Sequence, residues 1–408
     1  MELLAPAGDL EKLRYAYTYG ADAAYIGLHQ FSLRNRARNI GFEDAKQLSK
    51  IKGDKKLYAA INSYMSEQNI ELLKQSLPSL EPLPFDAFIV SDLGTAALLR
   101  KYFGSSRELH LSTQANSLNS ESVKAYREFG FSRVILGREV PLKEIRKIKE
   151  RVSDVEIEAF VHGSMCMAYS GRCFLSAFMS GRSANEGDCA HSCRYDYKLY
   201  KQNPLENYAL EESTRRGEYF PVYEGDDYTT ILSSKDLCMI DHLKELKESG
   251  VDAIKIEGRM KSLYYVATVT RAYRKALDAL DNKADSQDYL EYRNELFNVS
   301  HREYSTGFFF DSEQIDLSTD KEYLRNYLLI GTINQKVGPN LYSLNLKNKI
   351  EMNQEIEYIG PTTLSVEDST FSLFDEQNTP ITFANHHQNI FLKTDKELKT
   401  GFIIRKKL

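Results

Sequence analysis

Four of the chain's five cysteines, Cys166, Cys173, Cys189 and Cys193, fall within 28 positions, and Cys238 follows 45 residues later. Soft thiolates gathered on one point suit zinc or an iron–sulfur cluster. Structural zinc sites favour tight C-x2–4-C pairs. Only the last spacing of Cys-x6-Cys-x15-Cys-x3-Cys is that short, so zinc fits less well. The plainer alternative is that two or three of these residues are small buried apolar side chains. His162 and His191 flank the group. A single histidine is more often a hydrogen-bonded structural residue than a ligand, and the position of His162 at the end of an apolar run makes it the better candidate of the two.

Other polar residues stand where short apolar runs end: Asn62, Ser91 and Asp92, Gln114 and Asn116, Arg138 and Glu139, Glu158, then Lys255, Glu257 and Arg259. A charge on a buried strand needs a partner. Lys255 and Glu257 therefore suit either an internal salt-bridge layer or an anionic substrate, whereas Arg259 lies beyond its run and reads as a binding residue. The stretch "FSLRNRARN" carries Arg34, Arg36 and Arg38, which could grip carboxylates or phosphates in bidentate fashion or form a solvated basic face. The candidate catalytic set is His162, Glu158, Lys255, Glu257 and Arg259. The candidate substrate-binding set is Arg34, Arg36, Arg38, Asn62 and Gln114. A Walker loop, a G-x-S-x-G elbow, an H-E-x-x-H helix and a G-x-G-x-x-G after a strand are all missing, which weakens the common hydrolase and nucleotide-binding readings.

These residues need a frame. Four stretches, "YGADAAYIGL", "PFDAFIVSD", "FGFSRVILGRE" and "SGVDAIKIEGR", repeat one plan of turn, apolar run and polar residue, with amphipathic helical patterns between them. Continuous apolar runs suit parallel strands buried on both faces. Eight are expected: Glu2–Pro6, Ala23–Gly27, Leu57–Asn62, Ala87–Ser91, Leu109–Thr113, Arg133–Gly137, Val155–Val161 and Ala253–Glu257. Eight such units over residues 1–280 predict an α/β fold, a (β/α)8 TIM-like barrel, ahead of an open doubly wound sheet. The last two strands are separated by far more than a usual crossover, and the insertion 162–238 carries the cysteine cluster to the active face. Residues 281–326 read as a helical connector. Residues 327–408 turn to short strands and predict a small antiparallel, β-barrel-like C-terminal domain of about six strands.

The net charge of −5 is neutral evidence about nucleic acid. No apolar run of about 18 residues suggests a membrane span, and the opening "MELLAPAG" lacks signal-peptide texture. The expected location is cytoplasmic, where clustered thiols serve metal or redox chemistry more often than disulfides.

The segment "EAFVHGSMCMAYSGRCFLS" resembles the signature of peptidase family U32, the collagenase-like proteases. The resemblance continues through "GRSANEGDCAHSCRY", "ILSSKDLCMI", "DAIKIEGRMKSLYYVATVTRAYRKALD" and "HREYSTGFFFD". Within the family it is closest to the bacterial tRNA 5-hydroxyuridine modification proteins. That resemblance implies hydroxylation at C5 of the wobble uridine of tRNA, with prephenate or a derivative as co-substrate. It also implies a 4Fe-4S cluster on Cys166, Cys173, Cys189 and Cys193, with Cys238 as the alternative fourth ligand, and it makes a paralogous subunit a candidate partner. The alternatives it leaves are a peptidase, as the family name says, or a non-catalytic tRNA-binding or cluster-carrying subunit. Proteolysis needs an activated nucleophile or a metal-activated water, and the sequence offers no convincing pair.

Overall fold

The computed structural model describes every residue except 29–30, 33–40, 167, 174, 181, 183, 185–188, 191–192, 194–208, 212–218, 222, 225–228, 231–233, 283–285, 311–322 and 387. The apolar runs become strands β1 (Glu2–Pro6), β2 (Ala23–Gly27), β3 (Lys56–Ile61), β4 (Ala87–Val90), β5 (Glu108–Leu111), β6 (Arg133–Ile135) and β7 (Glu156–Ser164). The same sheet later adds β8 (Asp236–Cys238), β9 (Ala253–Ile256) and β10 (Tyr304–Ser305). Strands β1 to β7 pair in sequence order, all in parallel. Strand β9 closes the ring by pairing in parallel with both β1 and β7. The result is the eight-stranded barrel expected.

Helices cover the outer wall: α1 (Leu10–Thr18), α2 (Ala45–Lys52), α3 (Glu67–Leu80), α4 (Leu93–Phe103), α5 (Ser120–Phe129), α6 (Leu142–Arg151), then α7 (Leu175–Ser180) in the insertion, α8 (Leu243–Glu248), α9 (Leu263–Leu280) and α10 (Ser286–Asn294). Their starts are local chemistry. Asp9, Ser66, Asp92, Asn119 and Ser262 each accept an N–H three residues ahead, satisfying a donor that the first turn leaves unpaired. At the far end of α5, Gly130 takes φ +108°, a backbone that glycine adopts at no steric cost.

Two features extend the barrel beyond the expected plan. Strand β7 runs past the ring, and its last residues pair antiparallel with β8, which in turn pairs with β10. The barrel wall therefore continues into the segment read as a connector. Strand β7 also carries an irregularity at Val161: Lys255 of β9 faces Phe160, and Ile256 faces His162. The period-two alternation that sends Glu158 and Phe160 to the interior slips there by one residue.

The C-terminal residues form an eight-stranded antiparallel sheet in the order Val366–Asp368, Ile356–Ile359, Ile403–Lys407, Tyr327–Gly338, Leu341–Leu346, Asn389–Lys393, Ser372–Phe374 and Pro380–Ile381. It encloses its own core around Ile330, Tyr342, Tyr358, Leu373, Leu392 and Ile404. Buried polar groups fasten it to α1, α9 and the turn after α10. Arg405 binds Glu295, Glu357 and Tyr264. Arg271 donates to the carbonyls of Gly360 (2.6 Å) and Thr363 (2.7 Å). The Tyr19 hydroxyl donates to the carbonyl of Gly401 at 3.0 Å. Among the described residues no helix is long and apolar enough to cross a membrane.

Candidate active site at the barrel mouth

The barrel interior begins with a charged layer. Arg133 is 2% exposed and donates to Glu2 (2.6 Å), Glu158 (3.1 Å) and Glu156 (2.7 Å). Glu158 is fully buried and takes Lys255 on its other oxygen at 3.0 Å. The Tyr58 hydroxyl donates to the Glu2 carboxylate, 3.0 Å from both oxygens. Of the two roles open to Lys255, the salt-bridge layer is realised, and Glu158 sits between two cations. The pKa of Lys255 is lowered, first by burial, against which Glu158 and Glu257 pull upward.

Above this layer the interior is cationic and aromatic. The Lys255 ammonium lies 4.4 Å from the Tyr25 ring centroid and 5.4 Å from that of Phe160. Arg138 stacks over Phe160 at 4.2 Å and reaches Glu257 at 3.6 Å. Arg259, buried, lies 5.8 Å from the Tyr25 ring and donates to the hydroxyl of Ser32. Asn62 donates to Ser112 at 3.2 Å and accepts Ser91 through its carbonyl at 3.3 Å. The Gln114 N–H also donates to Ser112, at 3.3 Å. Asn62 and Gln114 thus share Ser112 at the C-terminal ends of β3 and β5, while Lys255, Glu257 and Arg259 stand at the same end of the barrel on and after β9, across the ring. Arg34, Arg36, Arg38 and His191 lie outside the described residues.

His162 stands elsewhere. The slip at Val161 turns it outward, where its ring packs on Tyr265, Tyr273 and Tyr304 with centroids 5.2–5.9 Å away. Its Nδ1 lies 3.4 Å from the Tyr273 hydroxyl and its Nε2 3.5 Å from that of Tyr304. Burial, with smaller contributions from Lys261 and His301, lowers its pKa to about 3. His162 is a neutral residue inside the wall.

The cysteine loop is seated on the mouth by its small residues. The Ser170 N–H donates to Glu139 at 2.5 Å, and its hydroxyl accepts the N–H of Arg138 at 3.3 Å. Gly171 has φ +72°, and a Cβ there would stand 2.1 Å from the carbonyl oxygen of Gln114. Only glycine allows that approach. Beyond Cys173, the buried Ser176 hydroxyl accepts the N–H of Ala190 (2.8 Å) and donates to the Arg182 carbonyl (2.6 Å), drawing the Cys189 segment onto α7. The Cys173 thiol is pushed up by burial first, then by the neighbouring Cys166 and Cys189, while the N–H groups of Leu175 and Ser176 donate toward its sulfur. Cys238 is different: burial raises its thiol to about 11, and it is hydrogen-bonded to Tyr273 in the wall. All five cysteines are thiols rather than disulfides. Among the described residues, no three His, Cys, Asp or Glu side chains close on a single point as one ion would require.

Residues 8–319 match peptidase family U32, and residues 325–405 match the peptidase family U32 C-terminal domain. The chain belongs to peptidase family U32. Among its U32 relatives is tRNA hydroxylation protein P1 of Bacillus subtilis, 35% identical over 99% of this chain and 94% of that protein. The 23S rRNA 5-hydroxycytidine C2501 synthase of Escherichia coli is 33% identical over 78% of this chain and 46% of that protein. A protein named collagenase from Porphyromonas gingivalis is 31% identical over 76% of this chain and 73% of that protein.

Sequence reasoning missed three contributors to the site. Arg133 could have been found as an arginine inside a buried strand that needs carboxylate partners. Ser170 and Ser176 act through their positions in a loop, which no periodicity reports.

Proposed function

We propose that this chain is an RNA-modifying hydroxylase that adds a hydroxyl at C5 of the wobble uridine of tRNA, with prephenate or a derivative as co-substrate. The observation that carries the reading is the cysteine loop seated directly on a cationic, aromatic barrel mouth, in a chain similar along nearly its whole length to a tRNA hydroxylation protein. The donor set suits a 4Fe-4S cluster: Cys166 and Cys189 both lie close enough to Cys173 to raise its thiol, and the backbone N–H groups of Leu175 and Ser176 are aimed at its sulfur. Cys193 completes the proposed set, with Cys238 the alternative. When bound, such a cluster supplies electron transfer. The chain's own residues do the rest. Lys255, Arg259 and Arg138 offer charge to a carboxylate, the rings of Tyr25 and Phe160 wall the space above Lys255, and Glu158 holds Lys255 in place. Glu257 orients Arg138, and Asn62 and Gln114 line the opposite strand ends. The helical and β segments after residue 281 serve as connector and accessory domain, and a paralogous subunit is a further proposed partner.

A peptidase reading follows one relative's name, but it needs a nucleophile paired with a base. Within residues 1–326 the described histidines 110, 162, 242 and 301 hydrogen-bond to Glu108, to Tyr273 and Tyr304, to Glu245, and to the Arg302 carbonyl. None of these partners is a serine or cysteine.

Nucleoside mass spectrometry of total tRNA from a host lacking 5-hydroxyuridine, with and without this gene, tests the proposal. The modified nucleoside should appear with the gene. Its absence in cells holding soluble, iron-loaded protein would overturn the assignment. In the same assay Gly171→Ala should lower modification by roughly 10- to 100-fold, since a misplacement of about 1 Å can cost that much, and iron content should fall with it. The barrel's thermal midpoint should stay put. Full iron and full activity would show that the loop's seat is immaterial.

A further inference from the structure

The rim of the mouth holds groups that neither the proposed cluster nor the anion floor uses. Tyr169 and Tyr64 are the two most exposed aromatic side chains among the described residues, at 64% and 63%. Both stand on loops leaving the C-terminal ends of barrel strands, Tyr64 just after β3 and Tyr169 just after β7. Met260, after β9, and Leu93, at the start of α4, add exposed apolar surface to the same rim. Single exposed apolar residues are ordinary, but a set concentrated on one functional face marks contact with something.

The chemistry of the rim narrows what that is. Neither tyrosine side chain has a hydrogen-bond or ring partner among the described residues. Arg172 closes the turn that displays Tyr169, donating its N–H to the Tyr169 carbonyl at 3.0 Å. Its own side chain is exposed and has no ion pair among the described residues. An exposed ring and, three residues on, an exposed guanidinium with no ion pair among the described residues match a nucleobase joined to a phosphate: bases stack on aromatic rings, and arginine takes the backbone charge. Tyr64 leaves β3, whereas the Tyr169 loop is held over the ends of β5 and β6 through Gln114, Arg138 and Glu139, so the two rings stand at separate points of the rim. An occupant that uses both must reach along the mouth rather than sit on one flat patch. A duplex keeps its bases stacked on each other, so the occupant is single-stranded.

We propose that Tyr64 and Tyr169 are stacking platforms for unpaired bases of a single-stranded RNA loop, with Arg172 on its backbone phosphate. They hold the loop across the mouth so that one base descends toward Lys255. This rests on the RNA-hydroxylase reading above. Beside the C-terminal sheet, Phe383, 51% exposed, has Lys349 5.2 Å from its ring centroid, and this comparable pair serves as the control.

The test uses full-length, iron-loaded protein and a fluorescein-labelled anticodon stem–loop RNA, read by anisotropy over a range of salt. Tyr64→Ala and Tyr169→Ala should each weaken binding by about tenfold or more. Tyr64→Phe and Tyr169→Phe, which keep the ring, should stay within about twofold of wild type. Arg172→Ala should weaken binding and lower the salt slope by roughly one. Iron content and thermal midpoint should not move in any of them. Wild-type binding that survives both alanine variants, or is lost in Phe383→Ala instead, would overturn the assignment and leave the hydroxylase reading standing. A wild-type protein that neither binds the stem–loop nor modifies tRNA would overturn both.

Discussion

Cys166→Ala and Cys189→Ala should each abolish the visible absorption of the iron-loaded protein and its tRNA modification, with the barrel still folded. The loss should be complete because a cluster short of one thiolate is not held, and residues that act as a unit fail together. The fold should survive because Cys166 is exposed and Cys189 half-buried, so neither truncation opens a core cavity. The fourth ligand is decided by a paired comparison. Cys238 has its thiol turned into the wall, bonded to Tyr273, on the strand that pairs with β7. Cys193→Ala should therefore lose the chromophore. Cys238→Ala should keep it while lowering the melting temperature, because it removes a buried partner of Tyr273. Iron per chain, circular dichroism and nucleoside mass spectrometry on each variant check this. Full chromophore in both Cys166→Ala and Cys189→Ala would sink the ligand assignment.

Most of the barrel was legible because parallel strands buried on both faces cannot hide: residues such as Ala23–Gly27 or Ala87–Val90 are apolar throughout. Glu2–Pro6 and Ala23–Gly27 have the predicted bounds, and the other strands shift at an end because the polar residue that closes an apolar run, such as Asn62, Ser91 or Glu257, already belongs to the loop. The extra pairing of β8 and β10 was not legible. Three- and two-residue strands carry no periodicity, and their pairing is set by where β7 overruns the ring. The outward turn of His162 was equally hidden, because an irregularity at one residue reverses every inference drawn from alternation. In the site, charged residues at strand ends were found, but their division of labour was not. Glu158 and Lys255 carry similar sequence signals. Only the position of Arg133 against Glu158 separates a supporting carboxylate from a cation that faces the mouth.

That division makes Glu158 the most consequential single side chain of the interior. Glu158→Ala should destabilise the protein by about 3–5 kcal/mol, the usual cost of removing one partner from a buried ion pair, and lower the thermal midpoint by several degrees. Arg133 keeps Glu2 and Glu156, so the uncompensated charge falls on Lys255. Burial already lowers the Lys255 pKa from 10.5, and Glu158 is the first of the groups that pull it back up. Removing Glu158 must lower it further. Because the folded pKa lies below the unfolded one, the unfolded chain holds the proton more tightly, so stability rises with pH between the two values. The variant should widen that window downward. Activity should move the opposite way: Lys255 loses its charge at lower pH, and an anionic co-substrate then meets a neutral amine. Glu158→Gln, which keeps volume and hydrogen bonding, separates the two effects. It should recover part of the lost stability while its pH–activity profile still falls off earlier on the basic side than that of wild type. A Gln variant with wild-type basic-limb behaviour would mean that the charge of Lys255 does not serve the reaction, and that the salt-bridge layer is structural alone.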